Sequence, residues 1–246
     1  MKQVNIGILG ATGAVGQEMI KILEERNFPV ASLRPIASAR SAGSKILFRG
    51  QECTIVEASD EAFEGLDIVL GAAENDIAER FAPAIVKAGA VFVDNSSAFR
   101  LDPNVPLVIP EINPEDVKWH KGIISNPNCT TIVTLVAINA LAKESPIETI
   151  IASSYQAVSG AGTKEKISVE RARELIANAP GCKLVDDLAN KIYPMPLDTS
   201  DQDIIYVGRI REDLTDERGL NLWCCGDQVR KGAATNTIQI AELLLK

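Results

Sequence analysis

Val4-Asn5-Ile6-Gly7-Ile8-Leu9-Gly10-Ala11-Thr12-Gly13-Ala14-Val15-Gly16 is the stretch that decides the fold. Val4 to Leu9 is an apolar run of strand length closed by a glycine, the pattern of a buried parallel strand. A helical pattern, Gln17 to Arg26, comes directly after Gly16. Between them three glycines recur three residues apart. Gly10 allows a tight turn. Gly13 lets the backbone approach a pyrophosphate at a helix N-terminus, and Gly16 allows close helix–strand packing. A glycine-rich loop alone is weak evidence, and its bland alternative is a turn with no ligand. A strand before and a helix after supply the context that the dinucleotide fingerprint requires.

Outward from this unit, Ser32 to Ala37 reads as the second strand and runs into Ser38-Ala39-Arg40-Ser41. An NAD site commonly places an acidic residue here for the ribose 2′-hydroxyl. Arg40, with Ser38 and Ser41, suits a 2′-phosphate, so NADP is favoured. The α/β rhythm continues with strands at Cys53 to Glu57, Asp67 to Ala72 and Ala90 to Asp94. The helix Ile77 to Lys87 contains Pro83, a residue that bends or interrupts helices. Ligands collect beyond the carboxyl ends of such strands. Arg100 follows one of those ends and suits a phosphate or carboxylate. Leu107 to Pro110 and Gly122 to Ser125 read as further short strands, and His120 as a surface residue in a polar stretch.

Composition narrows the class. At 246 residues, 46% of them hydrophobic, the chain has material for one large or two smaller domains. A net charge of −8 argues against nucleic acid or an anionic membrane as the main partner. No apolar run reaches membrane-spanning length, and the start shows no secretory leader. Five cysteines at irregular spacing and one histidine form neither a disulfide framework nor a metal pattern. The expectation is a cytosolic, cytoplasmic protein with reduced thiols and no metal.

Ser125-Asn126-Pro127-Asn128-Cys129-Thr130-Thr131 divides the chain. Asn-Pro-Asn is a turn signal, and Thr130 to Ala142 is helical in pattern. Cys129 therefore falls at a helix N-terminus, where backbone N–H groups and the helix dipole favour a thiolate. A small buried cysteine opening a core helix is the alternative.

Taken together the motifs resemble the aspartate-β-semialdehyde dehydrogenase family. The blocks are Gly10 to Gly16, Ser38 to Ser41, Asp94 to Arg100, Asn126 to Thr130, Ser154-Tyr155-Gln156-Ala157-Val158-Ser159-Gly160, and Gly226 to Asn236. The resemblance implies NADPH-dependent reduction of aspartyl-β-phosphate to aspartate-β-semialdehyde with release of phosphate, in lysine, threonine and methionine biosynthesis. It makes Cys129 the nucleophile that forms an acyl-enzyme thioester and Gln156 the residue that orients the acyl group. Arg100 becomes a phosphate-binding arginine, and Asn128 joins it near the substrate. Gly10, Thr12, Gly13, Ala14, Val15, Ser38, Arg40, Ser41, Gln228 and Asn236 become the cofactor-binding set. A homodimer through the second domain is also implied.

The second half departs from that family. After Val158-Ser159-Gly160-Ala161-Gly162 the chain goes directly to Thr163 to Leu175. The family has a long insert there, carrying an arginine for the substrate carboxylate and a histidine for acid–base work. No residue here matches either. The expected architecture is α/β: a Rossmann-type, discontinuous NADP-binding domain, 1–128 plus 227–246, and a smaller, truncated α+β second domain, 129–226. Its elements would be a strand from Ile147 to Gln156, a helix from Ser168 to Asn178, a strand from Lys183 to Asp186 and a β-hairpin from Ile204 to Gly226. The expected dimer interface is reduced and catalysis impaired. A non-catalytic NADP-binding chain and an N-acetyl-glutamyl-phosphate reductase-like enzyme are the alternatives.

Overall fold

The computed structural model describes residues 3–150, 161–163, 167–214 and 219–245. The chain forms two compact units, Met1–Asn128 with Ala233–Lys246, and Cys129–Gly232.

The first unit is built on a six-stranded sheet. Its chain order is β1 (Val4–Leu9), α1 (Ala14–Glu25), β2 (Val30–Ala37), a hairpin of β3 (Lys45–Phe48) and β4 (Gln51–Thr54), β5 (Val56–Glu57), β6 (Ile68–Gly71), α2 (Asn75–Lys87), β7 (Val91–Asp94) and β8 (Ile123–Ser125). The spatial order is β5-β2-β1-β6-β7-β8, and the pairings are parallel. The order reverses beside β1, which is the doubly wound topology whose ligand crevice opens at the carboxyl ends of the strands. Ile6, Ile8 and Leu9 are buried because helices cover both faces of a parallel sheet. Met19, Ile20, Ile22 and Leu23 of α1 join Ile238, Ile240 and Ala241 of the C-terminal segment in one core cluster.

Three local expectations shift. α1 begins at Ala14, three residues before the apolar pattern, because Gly13 serves as its N-cap. The predicted strand Cys53 to Glu57 is two elements: Cys53 pairs with Ile46 in the hairpin, whereas Val56 pairs with Ile36 in the main sheet. α2 runs unbroken through Pro83. Pro83 and Glu79, whose carbonyl loses its helical donor, both lie on the exposed face of the helix.

Among the described residues the second unit is a five-stranded sheet with two α-helices. In chain order it holds α3 (Cys129–Glu144), β9 (Ile147–Ile150), β10 (Ala161–Thr163), α4 (Val169–Ala177), β11 (Cys182–Leu184), β12 (Ile205–Glu212) and β13 (Gly219–Cys225). The sheet order is β11-β12-β13-β10-β9. The expected hairpin is present as the antiparallel pair β12–β13. Ser168 caps α4 by accepting from the N–H of Arg171. The final helix, α5 (Thr235–Leu243), returns to the first unit, and a π-helical turn, Arg230–Ala234, precedes it. Among the described residues no helix is long and apolar enough to cross a membrane.

Candidate active site

At the mouth of β1 the three glycines have different reasons. Gly10 has φ +89°, and a Cβ there would lie 2.5 Å from the Ala72 carbonyl oxygen. A Cβ on Gly16 would lie 2.4 Å from the Gly10 carbonyl oxygen and 2.8 Å from Ala11 Cα. The fold itself therefore requires both. Gly13 has no such constraint: its Cβ would meet only the Gly10 carbonyl at 3.4 Å and the Ala72 carbonyl at 4.0 Å. Gly13 is exposed at the N-terminus of α1, which has no side-chain cap and no acid in its first turn. A bare helix N-terminus next to a side chain that packing does not exclude fits a pyrophosphate. Thr12 and Ala14 are exposed beside it, and Val15 is half-buried.

Beyond β2, the chain turns over Ser38 to Ser44 through backbone bonds from Ser41 and Ala42 to the Ser38 carbonyl. Ser38 and Arg40 are exposed and Ser41 half-buried. The Arg40 guanidinium makes no ion pair among the described residues, which leaves its donors for a phosphate.

A closed amide network lies at the ends of β7 and β8. Asn126, 1% exposed, donates Nδ2 to Asn95 Oδ1 at 2.8 Å and accepts from Asn236 Nδ2 at 2.6 Å. Asn95 Oδ1 also accepts from Thr237 Oγ1 at 2.9 Å, while Asn236 Nδ2 donates to the Val108 carbonyl at 3.2 Å. The backbone carbonyls of the same asparagines hold Arg100: Nη2 donates to Asn95 at 2.7 Å and Nε to Asn126 at 3.0 Å. Below them sits Asp94, fully buried. It accepts from Ser96 Oγ at 2.5 Å and from the Ser96 N–H at 3.2 Å, which shapes the loop carrying Arg100. Burial pushes the Asp94 carboxyl above its ordinary value. The Ser96 bonds and the Arg100 charge pull it down.

The Cys129 prediction concerns the second unit. Cys129 is half-buried and is the first residue of α3. Asn128, the last residue of the first unit, precedes it and is exposed. All five cysteines are free thiols. Burial, helped by the neighbouring thiols of Cys225 and Cys182, pushes Cys224 up to about 12 and makes it inert. Burial also pushes Cys53 up. Gln228 is exposed on the turn that follows β13. Gln156 lies outside the described residues. No group of three or more metal-ligating side chains gathers among the described residues.

Sequence reasoning assigned Asn236 to the cofactor set and Asn126 to a turn signal. The structure places both in a buried network with Asn95, and Asn236 is 0% exposed. Asp94 and Asn95 carried no assigned role either. The only signal was their position at the end of a strand, where buried polar side chains stitch loops together. His120, expected as a surface residue, is half-buried and accepts the Gly122 N–H at Nδ1, 3.0 Å.

Comparison with known proteins bears on the same elements. Residues 5–120 match the semialdehyde dehydrogenase NAD-binding domain, and residues 163–231 match the semialdehyde dehydrogenase dimerisation domain. The aspartate-semialdehyde dehydrogenase of Synechocystis sp. is 39% identical, with 99% of this chain and 98% of that protein covered. The chain belongs to the aspartate-semialdehyde dehydrogenase family. The enzyme of that name from Prochlorococcus marinus is 37% identical, over 99% of this chain and 96% of the relative. A crystal structure of aspartate semialdehyde dehydrogenase II complexed with ASA, from Vibrio cholerae, superposes with a TM-score of 0.92. It is 28% identical and covers 100% of this chain and 99% of that chain. The family is one of NADP-dependent oxidoreductases, in keeping with the NAD-binding domain at the N-terminal end. The Prochlorococcus alignment runs over 331 residues against the 246 of this chain. A substantial block of the relative therefore has no counterpart here.

Proposed function

We propose that this chain carries out the aspartate-semialdehyde dehydrogenase reaction at Cys129 with NADP, and that its turnover is reduced. The observation that supports the reading most directly is Cys129 at the first position of α3, directly after Asn126-Pro127-Asn128. Its thiolate is the nucleophile. In the oxidative direction it adds to the aldehyde carbonyl of aspartate semialdehyde. NADP, held at the N-terminus of α1, would supply the acceptor for the hydride that leaves that carbon. The product is a thioester on Cys129, and inorganic phosphate then attacks its carbonyl and releases the thiolate, giving aspartyl-β-phosphate.

The protein's share is binding and position. Gly13 and the α1 N-terminus hold the pyrophosphate, with Gly10, Thr12, Ala14 and Val15 shaping the loop. Arg40, Ser38 and Ser41 take the 2′-phosphate, which favours NADP over NAD. Arg100, anchored through two carbonyls, binds the substrate phosphate. Gln156 orients the acyl group, and Asn128 and Gln228 face substrate or nicotinamide. Asn236 acts from within the amide network. The dimerisation domain supports a homodimer.

The reduction in turnover follows from the absent block. A substrate carboxylate is held best by a bidentate arginine, and loss of a positioned acid–base group costs roughly 10²–10⁴-fold. No residue of the chain matches the family's arginine or histidine at those positions.

Two measurements test the reading. Titration with NADP should show saturable binding, and millimolar cofactor with no binding would remove the proposal. Phosphate-dependent oxidation of aspartate semialdehyde should be slow yet dependent on Cys129, vanishing in Cys129→Ala. Rates equal to those of full-length relatives would refute the impairment. Intact NADP binding without any turnover would establish a non-catalytic binding chain instead.

A further inference from the structure

The turn Gly226-Asp227-Gln228-Val229-Arg230-Lys231-Gly232 bears on the first two turns of α3 at two points, both through glycines. A Cβ on Gly232 would lie 2.8 Å from Cys129 Cβ and 3.3 Å from Cys129 Cα. A Cβ on Gly226 would lie 3.0 Å from a methyl of Val133. Cys129 and Val133 are four residues apart, so they share one face of the helix. The turn therefore straddles the start of α3, with its two ends against the same stripe.

The turn is held from behind. Asp227 Oδ1 accepts the N–H groups of Val229 at 2.8 Å and Arg230 at 3.1 Å, and its Oδ2 accepts the N–H of Asp201 at 2.9 Å. The Arg230 side chain, 6% exposed, forks onto Asp203 with Nε at 3.0 Å and Nη2 at 3.2 Å. Its Nη1 donates to Asp201 Oδ1 at 3.0 Å. A paired, buried guanidinium is a rigid anchor. The Gly232 N–H closes onto the Asp227 carbonyl at 3.1 Å. That span of five residues is wider than an α-turn, and Arg230–Ala234 is π-helical. Such turns recur at functional sites.

We propose that Gly232 is a positioning residue for the Cys129 thiol, and that the Asp227–Arg230–Asp203 cluster fixes the turn that presses Gly232 against it. The inference rests on Cys129 as the reactive group of the proposed function. A methyl on Gly232 displaces either the turn or the Cys129 Cβ. A displacement on the order of 1 Å at a reacting atom costs about 10²-fold.

The test is the pH profile of Cys129 alkylation by iodoacetamide, read peptide by peptide by mass spectrometry, with Cys53 of the other unit as internal reference. Gly232→Ala should change the Cys129 rate at least about tenfold, or move its pH midpoint, with the Cys53 rate unchanged. Asp203→Asn, which loosens the Arg230 anchor, should move the Cys129 profile in the same direction by a smaller factor. Ile138→Val, in the buried part of α3, should lower the melting temperature and leave the profile alone. An unchanged Cys129 profile in folded Gly232→Ala overturns the proposal. If that variant does not fold, an unchanged profile in Asp203→Asn overturns it. An equal shift in Ile138→Val also overturns it, because the effect would then be loss of stability. These readings need neither cofactor nor turnover, so failure of the proposed enzymatic function leaves their outcome distinct.

Discussion

Asn126→Ala should destabilise the first unit by about 3–5 kcal/mol. Besides a long, weak bond to the Pro127 carbonyl at 3.5 Å, the variant loses two short side-chain hydrogen bonds, to Asn95 Oδ1 at 2.8 Å and from Asn236 Nδ2 at 2.6 Å. Each is worth roughly 1 kcal/mol net, and amide groups left short of partners in a buried site add about 1–3 kcal/mol of unrecovered desolvation. Asn126→Asp keeps the size but turns a donor into an acceptor against Asn95 Oδ1. Burial would raise the pKa of the new carboxyl. A raised pKa contributes stability that is present at low pH and lost as pH rises through the folded-state value. Asn126→Asp should therefore be the less stable variant at pH 7 and recover relative to Asn126→Ala as the solution is acidified. Urea denaturation followed by far-UV circular dichroism measures the loss. Native-state hydrogen exchange at Ile124 and Ile238 reads the first unit by itself. The same carbonyls that hold Arg100 belong to Asn95 and Asn126, so the KM for phosphate should rise as well. A loss below about 0.5 kcal/mol in Asn126→Ala would show that the network is not cooperative and would refute the reasoning.

Four further outcomes are expected. Gly16→Ala should cost roughly 1–3 kcal/mol, because its Cβ would meet backbone atoms at 2.4 and 2.8 Å. Gly13→Ala should leave the melting temperature nearly unchanged and weaken NADP binding at least about tenfold, since a methyl there obstructs the pyrophosphate rather than the protein. Calorimetry on both variants checks the contrast. Arg40→Ala should weaken NADP by about 10–100-fold and leave NAD nearly unaffected, one charge-assisted bond being worth about 1.5–3 kcal/mol. Equal losses for both cofactors would dismiss the 2′-phosphate role. Burial lowers the pKa of His120, the single histidine, and its Nδ1 accepts the Gly122 N–H only when neutral. Its contribution to stability is therefore present above its ordinary value of 6.5 and lost as pH falls through the lower folded-state value. An NMR titration should find its pKa below 6.5. His120→Gln should reduce the difference in urea midpoint between pH 7.5 and 5.5, and a pKa above 6.5 would contradict the assignment.

The first βα unit was legible because its information is local. An apolar run, a glycine with positive φ and a helix that begins at the next glycine all fall within the span from Val4 to Glu25. The placement of Cys129 at a helix start was legible for the same reason: a turn signal on one side and helical periodicity on the other. The parallel order of the strands also followed, since alternating strands and helices admit few other arrangements.

Long-range choices were not legible. Asn126 meets Asn236 across 110 residues of chain, and Thr237 meets Asn95 across 142. No local pattern tells an asparagine in a turn from one buried at the end of a strand. The contact between Gly232 and Cys129 is of the same kind. In the sequence Gly232 is only a member of the Gly226 to Asn236 block, and only tertiary packing shows that the space it leaves is filled by the thiol-bearing residue. The continuity of α2 through Pro83 depended on which side of the helix faced solvent. By itself the sequence determined the dinucleotide-binding frame, the family and the place of Cys129 at a helix start. Those depend on backbone conformation and residue chemistry within a few positions. Tertiary structure alone decided which polar side chains are sealed in the core and which backbone presses on Cys129. Those depend on segments far apart in the chain that share one buried volume.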